Sequence, residues 1–149
     1  EDGIRPSSTS RCRGDVYKIQ WLINDDFYDE RNIAIIPMAF CFPGYDVNGS
    51  DLPPPKICAT TWRSSILENF QNLELKLLVG SFAQKWHLET NLTVTNVVKD
   101  WRLYTPEILP LPHPSWRNRA WVKKNFWFEK ELVPVLRNKV RGILKNETA

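Results

Sequence analysis

Apolar residues along this chain fall into short runs whose spacing alternates between strand-like and helix-like. The first 20 residues, rich in Ser, Arg and Gly, show no period and read as an irregular lead-in to a short helix near Val16–Leu22. Arg31 to Phe42 then supplies Ile33, Ala34, Ile35, Ile36, Met38, Ala39 and Phe40 before Pro43-Gly44. A run of this length predicts a strand buried on both faces, as in a parallel sheet. The segment from Gly44 through Pro53-Pro54-Pro55 predicts a loop, since proline cannot donate to a ladder. Thr60 or Thr61 is placed to cap a helix with an apolar stripe of Trp62, Ile66, Leu67 and Phe70. Leu73 to Gly80 predicts a second strand, after which Ser81-Phe82-Ala83-Gln84 opens a helix. Val94, Val97, Val98 and Trp101 repeat the helical spacing, and Ile108 to Pro112 delivers the chain to His113. Phe128, Leu132, Val135, Leu136, Val140 and Ile143 mark an amphipathic helix over Phe126–Ile143, kinked or restarted at Pro134. Strands alternating with helices predict an α/β layered domain with a mostly parallel sheet. There is no internal repeat.

Length and composition narrow this picture. The 149 residues are the size of one domain, and 42% hydrophobic with 25% charged residues is a globular composition. The longest apolar stretch, Ile33–Phe42, has ten residues and contains Pro37. It falls short of the roughly 18 needed to span a bilayer. The chain starts at Glu1 with neither an initiator Met nor a signal-peptide core, which reads as a processed product or a fragment.

The net charge of +3 hides an asymmetry. Residues 1–112 carry −3, whereas residues 113–145 carry +7 from Arg117, Arg119, Lys123, Lys124, Lys130, Arg137, Lys139, Arg141 and Lys145 against Glu129 and Glu131. Such a segment suits a polyanion such as a phosphate backbone, or else a solvated basic helix. Cys12, Cys41 and Cys58 form an odd set that leans intracellular. Three sequons, at Asn48, Asn91 and Asn146, argue for a secreted glycoprotein module, but without a leader they read as chance.

In open α/β sheets, sites lie outside the carboxyl ends of the strands. Three segments fall there: Cys41-Phe42-Pro43-Gly44, Gly80-Ser81-Phe82-Ala83 and His113-Pro114-Ser115-Trp116-Arg117-Asn118. His113 stands between two prolines, whose stiff backbone fixes its imidazole at little further entropic cost. Ser115 and Asn118 add a hydroxyl and an amide suited to a phosphate or a base edge. The other histidine, His87, falls in a predicted helix, and the chain has no Ser-His-Asp signature, P-loop or H-E-x-x-H.

The ordered set of motifs is similar to one known family. Ile36-Pro37-Met38-Ala39-Phe40-Cys41-Phe42-Pro43-Gly44, Gly49-Ser50-Asp51-Leu52-Pro53-Pro54, Cys58-Ala59 and Trp62-Arg63 come first. Leu77-Leu78-Val79-Gly80-Ser81-Phe82-Ala83-Gln84 and Pro110-Leu111-Pro112-His113-Pro114-Ser115-Trp116-Arg117-Asn118 follow, then Trp121, Lys124-Asn125-Phe126-Trp127-Phe128-Glu129 and Pro134. The set resembles the uracil-DNA glycosylase superfamily, especially bacterial-type members related to its iron–sulfur class. The likeness runs in order from about Phe27 to Val140.

The resemblance implies a three-layer α/β/α sandwich around a four-stranded, mostly parallel sheet, in a single domain over residues 1–149. It implies an intracellular, monomeric enzyme of the cytoplasm or nucleoid, or of a nucleus or mitochondrion, that excises a damaged base, chiefly uracil, from DNA. His113 would hydrogen-bond the uracil carbonyl and stabilise the departing anion. Met38, Phe40 and Phe42 would line the base pocket. Pro114, Ser115, Trp116, Arg117 and Asn118 would meet the DNA, Ser115 on a phosphate and Trp116 either as a wedge between bases or as a core residue. Lys123 and Lys124 would contact the backbone. Cys41 and Cys58 match two of the four thiolates of a 4Fe–4S cluster, or else are plain buried thiols; a cluster is expected only in a longer form of the chain. The family's Gly-rich water-positioning loop and first strand have no counterpart between Glu1 and Tyr28, and its base-reading Asn is not found at Pro37-Met38. A second expectation is therefore a non-catalytic nucleic-acid-binding descendant that keeps the fold and the basic face.

Overall fold

The computed structural model of the protein describes residues 29–115 and 118–146. Helix α1 spans Lys56–Glu68 and is followed by strand β1, Lys76–Val79. The chain then forms α2 (Ser81–His87), α3 (Val94–Lys99), a 3-10 turn over Trp101–Leu103, and strand β2 (Ile108–Leu111). After the His113 loop come α4 (Arg119–Lys124), a π-helical turn over Phe128–Leu132, and α5 (Val133–Asn146). Strands β1 and β2 are parallel, with Lys76 opposite Ile108 and Val79 opposite Leu111. A parallel pair requires a crossover, here supplied by α2 and α3.

Local chemistry explains most of these boundaries. Gly80 turns the chain sharply between β1 and α2 with a φ of 84°. The Thr93 hydroxyl caps α3 by accepting a hydrogen bond from the Asn96 N–H at 3.3 Å. Pro134 lies within one continuous helical run, and the change from π-helical to α-helical geometry at Val133 falls beside it, where the sequence predicts a kink or restart.

One cluster forms the centre of the core: Val98, Trp101, Leu109, Leu111, Val122, Phe128, Leu132, Val133 and Leu136. Phe128, Leu109 and Leu132 are completely buried. Trp121 packs edge-to-face on Phe128 with ring centroids 5.6 Å apart, and donates from its indole to the Thr95 hydroxyl at 2.7 Å. This cluster fixes α3, α4 and α5 around β2.

Two expectations need correction. Residues 33–42 form no strand; a turn over 29–32 leads into irregular backbone, and Ile35, Phe40 and Phe42 are 67%, 51% and 65% exposed. Pro37 has no N–H to give to a ladder, and the Pro37 carbonyl accepts instead from the Arg63 guanidinium at 2.9 Å. Second, α1 starts a turn earlier than Thr60, directly after Pro55, and its buried residues are Cys58, Ala59 and Arg63 rather than Trp62. The sheet among the described residues has two strands, and the expectation of four extends beyond those residues. The α/β character with a parallel sheet stands, while the expected helix at Val16–Leu22 lies outside the described residues.

Candidate active site

The carboxyl ends of β1 and β2 bring Gly80 and His113 together. A Cβ placed on Gly80 would lie in contact with the His113 Cβ at 3.4 Å, and the positive φ of 84° is what calls for glycine at this meeting of the two loops. The approach is held from beneath. The Leu111 carbonyl accepts from the Gly80 N–H at 2.9 Å and from the Gln84 side-chain amide at 2.8 Å. The same amide also reaches the Leu78 carbonyl at 3.3 Å, so the buried Gln84 ties both strand ends to α2. Beyond β2, the Ser115 N–H donates to the His113 carbonyl at 2.8 Å, and the Asn118 side-chain amide donates to the same oxygen. The His113 ring is therefore exposed on a loop whose backbone is fixed.

Two cavities flank this imidazole. The larger, of about 370 Å³, is lined by Met38, Val79, Gly80, Ser81, Phe82 and His113. Its walls are largely apolar, with the Ser81 hydroxyl and the His113 ring as polar side-chain groups. The smaller, of about 200 Å³, lies towards Thr95, Asn118 and Trp121. Of the three residues expected to line a base pocket, Met38 is on the larger cavity, whereas Phe40 and Phe42 are not among its lining residues. Phe82 takes the aromatic place on the wall. Its signal in the sequence was its position two residues after a glycine that ends a strand.

The remaining expected residues divide. Pro114, Ser115 and Asn118 stand on the His113 loop, and Lys123 and Lys124 are exposed in the last turn of α4. Trp116 and Arg117 lie outside the described residues. Two further groups lie beside the site without having been expected among its residues. Arg63, only 5% exposed, sends its guanidinium to the Pro37 carbonyl and to His87 Nε2, the latter at 2.9 Å. Burial, helped by the nearby charges of Arg63 and Lys76, lowers the His87 pKa from 6.5 to about 4.

Cys41 is exposed and Cys58 buried, and both are free thiols. A hydrogen bond with Cys58 and the charge of its thiolate push the Cys41 thiol up from its ordinary value. The two are therefore neighbours, as a shared ligand role requires. A 4Fe–4S cluster held by thiolates alone needs four. The 149 residues hold three cysteines, and Cys12 lies outside the described residues. The thiols here do not by themselves complete such a site. Among the described residues, no group of three or more His, Cys, Asp or Glu side chains is arranged to hold a metal ion.

In open α/β sheets ligands bind outside the carboxyl ends of the strands, which is where the His113 loop stands. The sequence model of the Uracil DNA glycosylase superfamily matches residues 17–137, most of the chain, and the protein belongs to that superfamily. No helix among the described residues is long and apolar enough to cross a membrane.

Proposed function

We propose that the protein acts on DNA as a uracil-DNA glycosylase-like enzyme, extruding a damaged base, chiefly uracil, and hydrolysing its N-glycosidic bond in base excision repair. The observation that carries this reading is His113 at the rim of an apolar cavity of about 370 Å³, at the carboxyl ends of both strands, in a chain of this superfamily. An extruded base leaves the stack for a pocket that offers apolar faces and a few hydrogen-bonding groups. Met38 and Phe82 offer the faces, and the His113 ring offers a donor.

In the reaction the C1′–N bond breaks with its electron pair on the base, and water supplies the hydroxyl that ends on C1′. Charge develops on the base carbonyl as the bond lengthens, and a fixed imidazole donor is worth most at that moment. His113 is the catalytic residue of this proposal. Pro114, Ser115, Trp116, Arg117 and Asn118 form the DNA-facing loop, and Lys123 and Lys124 contact the backbone. The basic excess of residues 113–145 then serves phosphate neutralisation.

One observation favours the non-catalytic reading. The described residues that line the larger cavity include no carboxylate or carboxamide to orient a water. Both readings meet in one experiment: a uracil-containing oligonucleotide is incubated with the protein, treated with alkali and examined for strand scission. Scission that is lost in His113→Ala is expected. Salt-sensitive binding without scission would replace the enzyme by a DNA-binding descendant of the family.

A further inference from the structure

Arg63 is a buried cation whose hydrogen-bond partners among the described residues include no carboxylate. Its Nη1 donates to the Pro37 carbonyl at 2.9 Å and to the Ile36 carbonyl at 3.4 Å. Its Nε and Nη2 converge on His87 Nε2 at 3.3 and 2.9 Å. A guanidinium only donates, so Nε2 accepts and the ring proton stands on Nδ1. The lowered pKa of His87 agrees with a neutral, accepting ring. Burial of an ion is costly unless its donors are satisfied, and here main-chain carbonyls and one imidazole satisfy them.

The two ends of this bridge lead to two different segments that line the His113 cavity. Pro37 precedes Met38, which lines it. His87 ends the short helix α2, whose first residues, Ser81 and Phe82, also line it. Among the described residues, 33–42 pair in no ladder, and the guanidinium is what holds the Ile36–Pro37 stretch beside Met38. Arginine suits this place better than lysine, because a rigid planar fork addresses two acceptors in fixed directions.

We infer that Arg63 is a positioning residue that sets the width of the base-binding cavity by fastening the Met38 wall to the α2 wall. This rests on the proposed function for the identity of the ligand, but not for the geometry. Arg63 itself does not line the cavity and acts through its neighbours.

Met38 is the only methionine in the sequence, which gives one methyl reporter on the wall itself. The full chain carrying 13C-methyl methionine is compared as wild type and R63K, with Met38→Leu assigning the signal. In R63K the methyl resonance is expected to move towards the free-methionine position and to sharpen, while resonances of the Phe128 core stay in place. Uracil excision by the same sample should show KM raised about tenfold with kcat nearly unchanged, the pattern of lost uniform binding. An unmoved methyl in a folded R63K protein overturns the proposal, and a moved methyl with unchanged KM removes its role in substrate binding. Should R63K not fold, His87→Leu cuts the bridge at a half-buried position, and the methyl must move there as well. A wild-type protein without uracil excision defeats the proposed function, while the methyl measurement still decides whether Arg63 holds the wall.

Discussion

Gly80 occupies backbone space that a side chain enters only at a cost. With φ 84° and ψ 173° it lies in a region that glycine alone uses freely. Gly80→Ala should lower stability by about 1–3 kcal/mol in urea unfolding, the typical cost of that conformation. The new methyl would also press on the His113 Cβ 3.4 Å away, so scission of a uracil oligonucleotide should fall further than the stability loss explains. Equal loss in Gly80→Ala and in a core variant of matched stability would contradict this. His87 carries a pH dependence whose sign is fixed by its surroundings. Burial, with the charges of Arg63 and Lys76, holds its pKa at about 4 in the folded protein against an ordinary 6.5. Between those values the unfolded chain binds a proton that the folded chain refuses. The contribution is therefore complete above pH 6.5, declines as pH falls, and levels off below about 4. His87→Gln should flatten the stability profile across that window relative to wild type, as chemical denaturation at several pH values would show.

At the scale of elements, the C-terminal helix and the turn before it carry the packing. Phe128 and Leu132 face the core from one π-helical turn and are completely buried. Phe128→Ala should cost about 3–5 kcal/mol, enough to leave a small domain marginal, and a urea midpoint near that of wild type would show that the cavity collapses. This element was legible in the sequence, because Phe128, Leu132 and Leu136 repeat at four-residue spacing and Pro134 marks where its geometry changes. So were β1, the helix through Val94, Val97 and Val98, and the His113 loop, each defined by neighbours close in sequence. The run at residues 33–42 was not. Apolar content alone predicts a strand, and whether a strand forms depends on a partner edge, which no local pattern reports. For α1, the apolar Trp62 drew attention away from Arg63. A charged residue is buried only when acceptors from distant segments meet it, here Pro37 and His87, and spacing does not show such a meeting.

For the molecule as a whole, the separation of charge matters most at long range. Lys123 and Lys124 are exposed on α4, one helix beyond the His113 loop. If each neutralises one phosphate, the double variant Lys123→Gln, Lys124→Gln should reduce the slope of log affinity against log salt by about 2. Fluorescence anisotropy over a salt series measures this, and an unchanged slope would place the DNA elsewhere. A different consequence follows from how the hydrogen bonds that tie distant parts are spaced along the chain. Arg63 reaches His87 across 24 residues and Pro37 across 26, Gln84 reaches Leu111 across 27, and Trp121 reaches Thr95 across 26. Arg102 reaches Glu131 across 29, and Lys139 reaches Pro106 across 33. The molecule is thus a series of overlapping loops of nearly one size. Loop-closure entropy grows only as the logarithm of length, so the shortest and longest of these differ by about 0.3 kcal/mol. Chain connectivity therefore gives none of these loops precedence over another, and what distinguishes them is the surface each one removes from water.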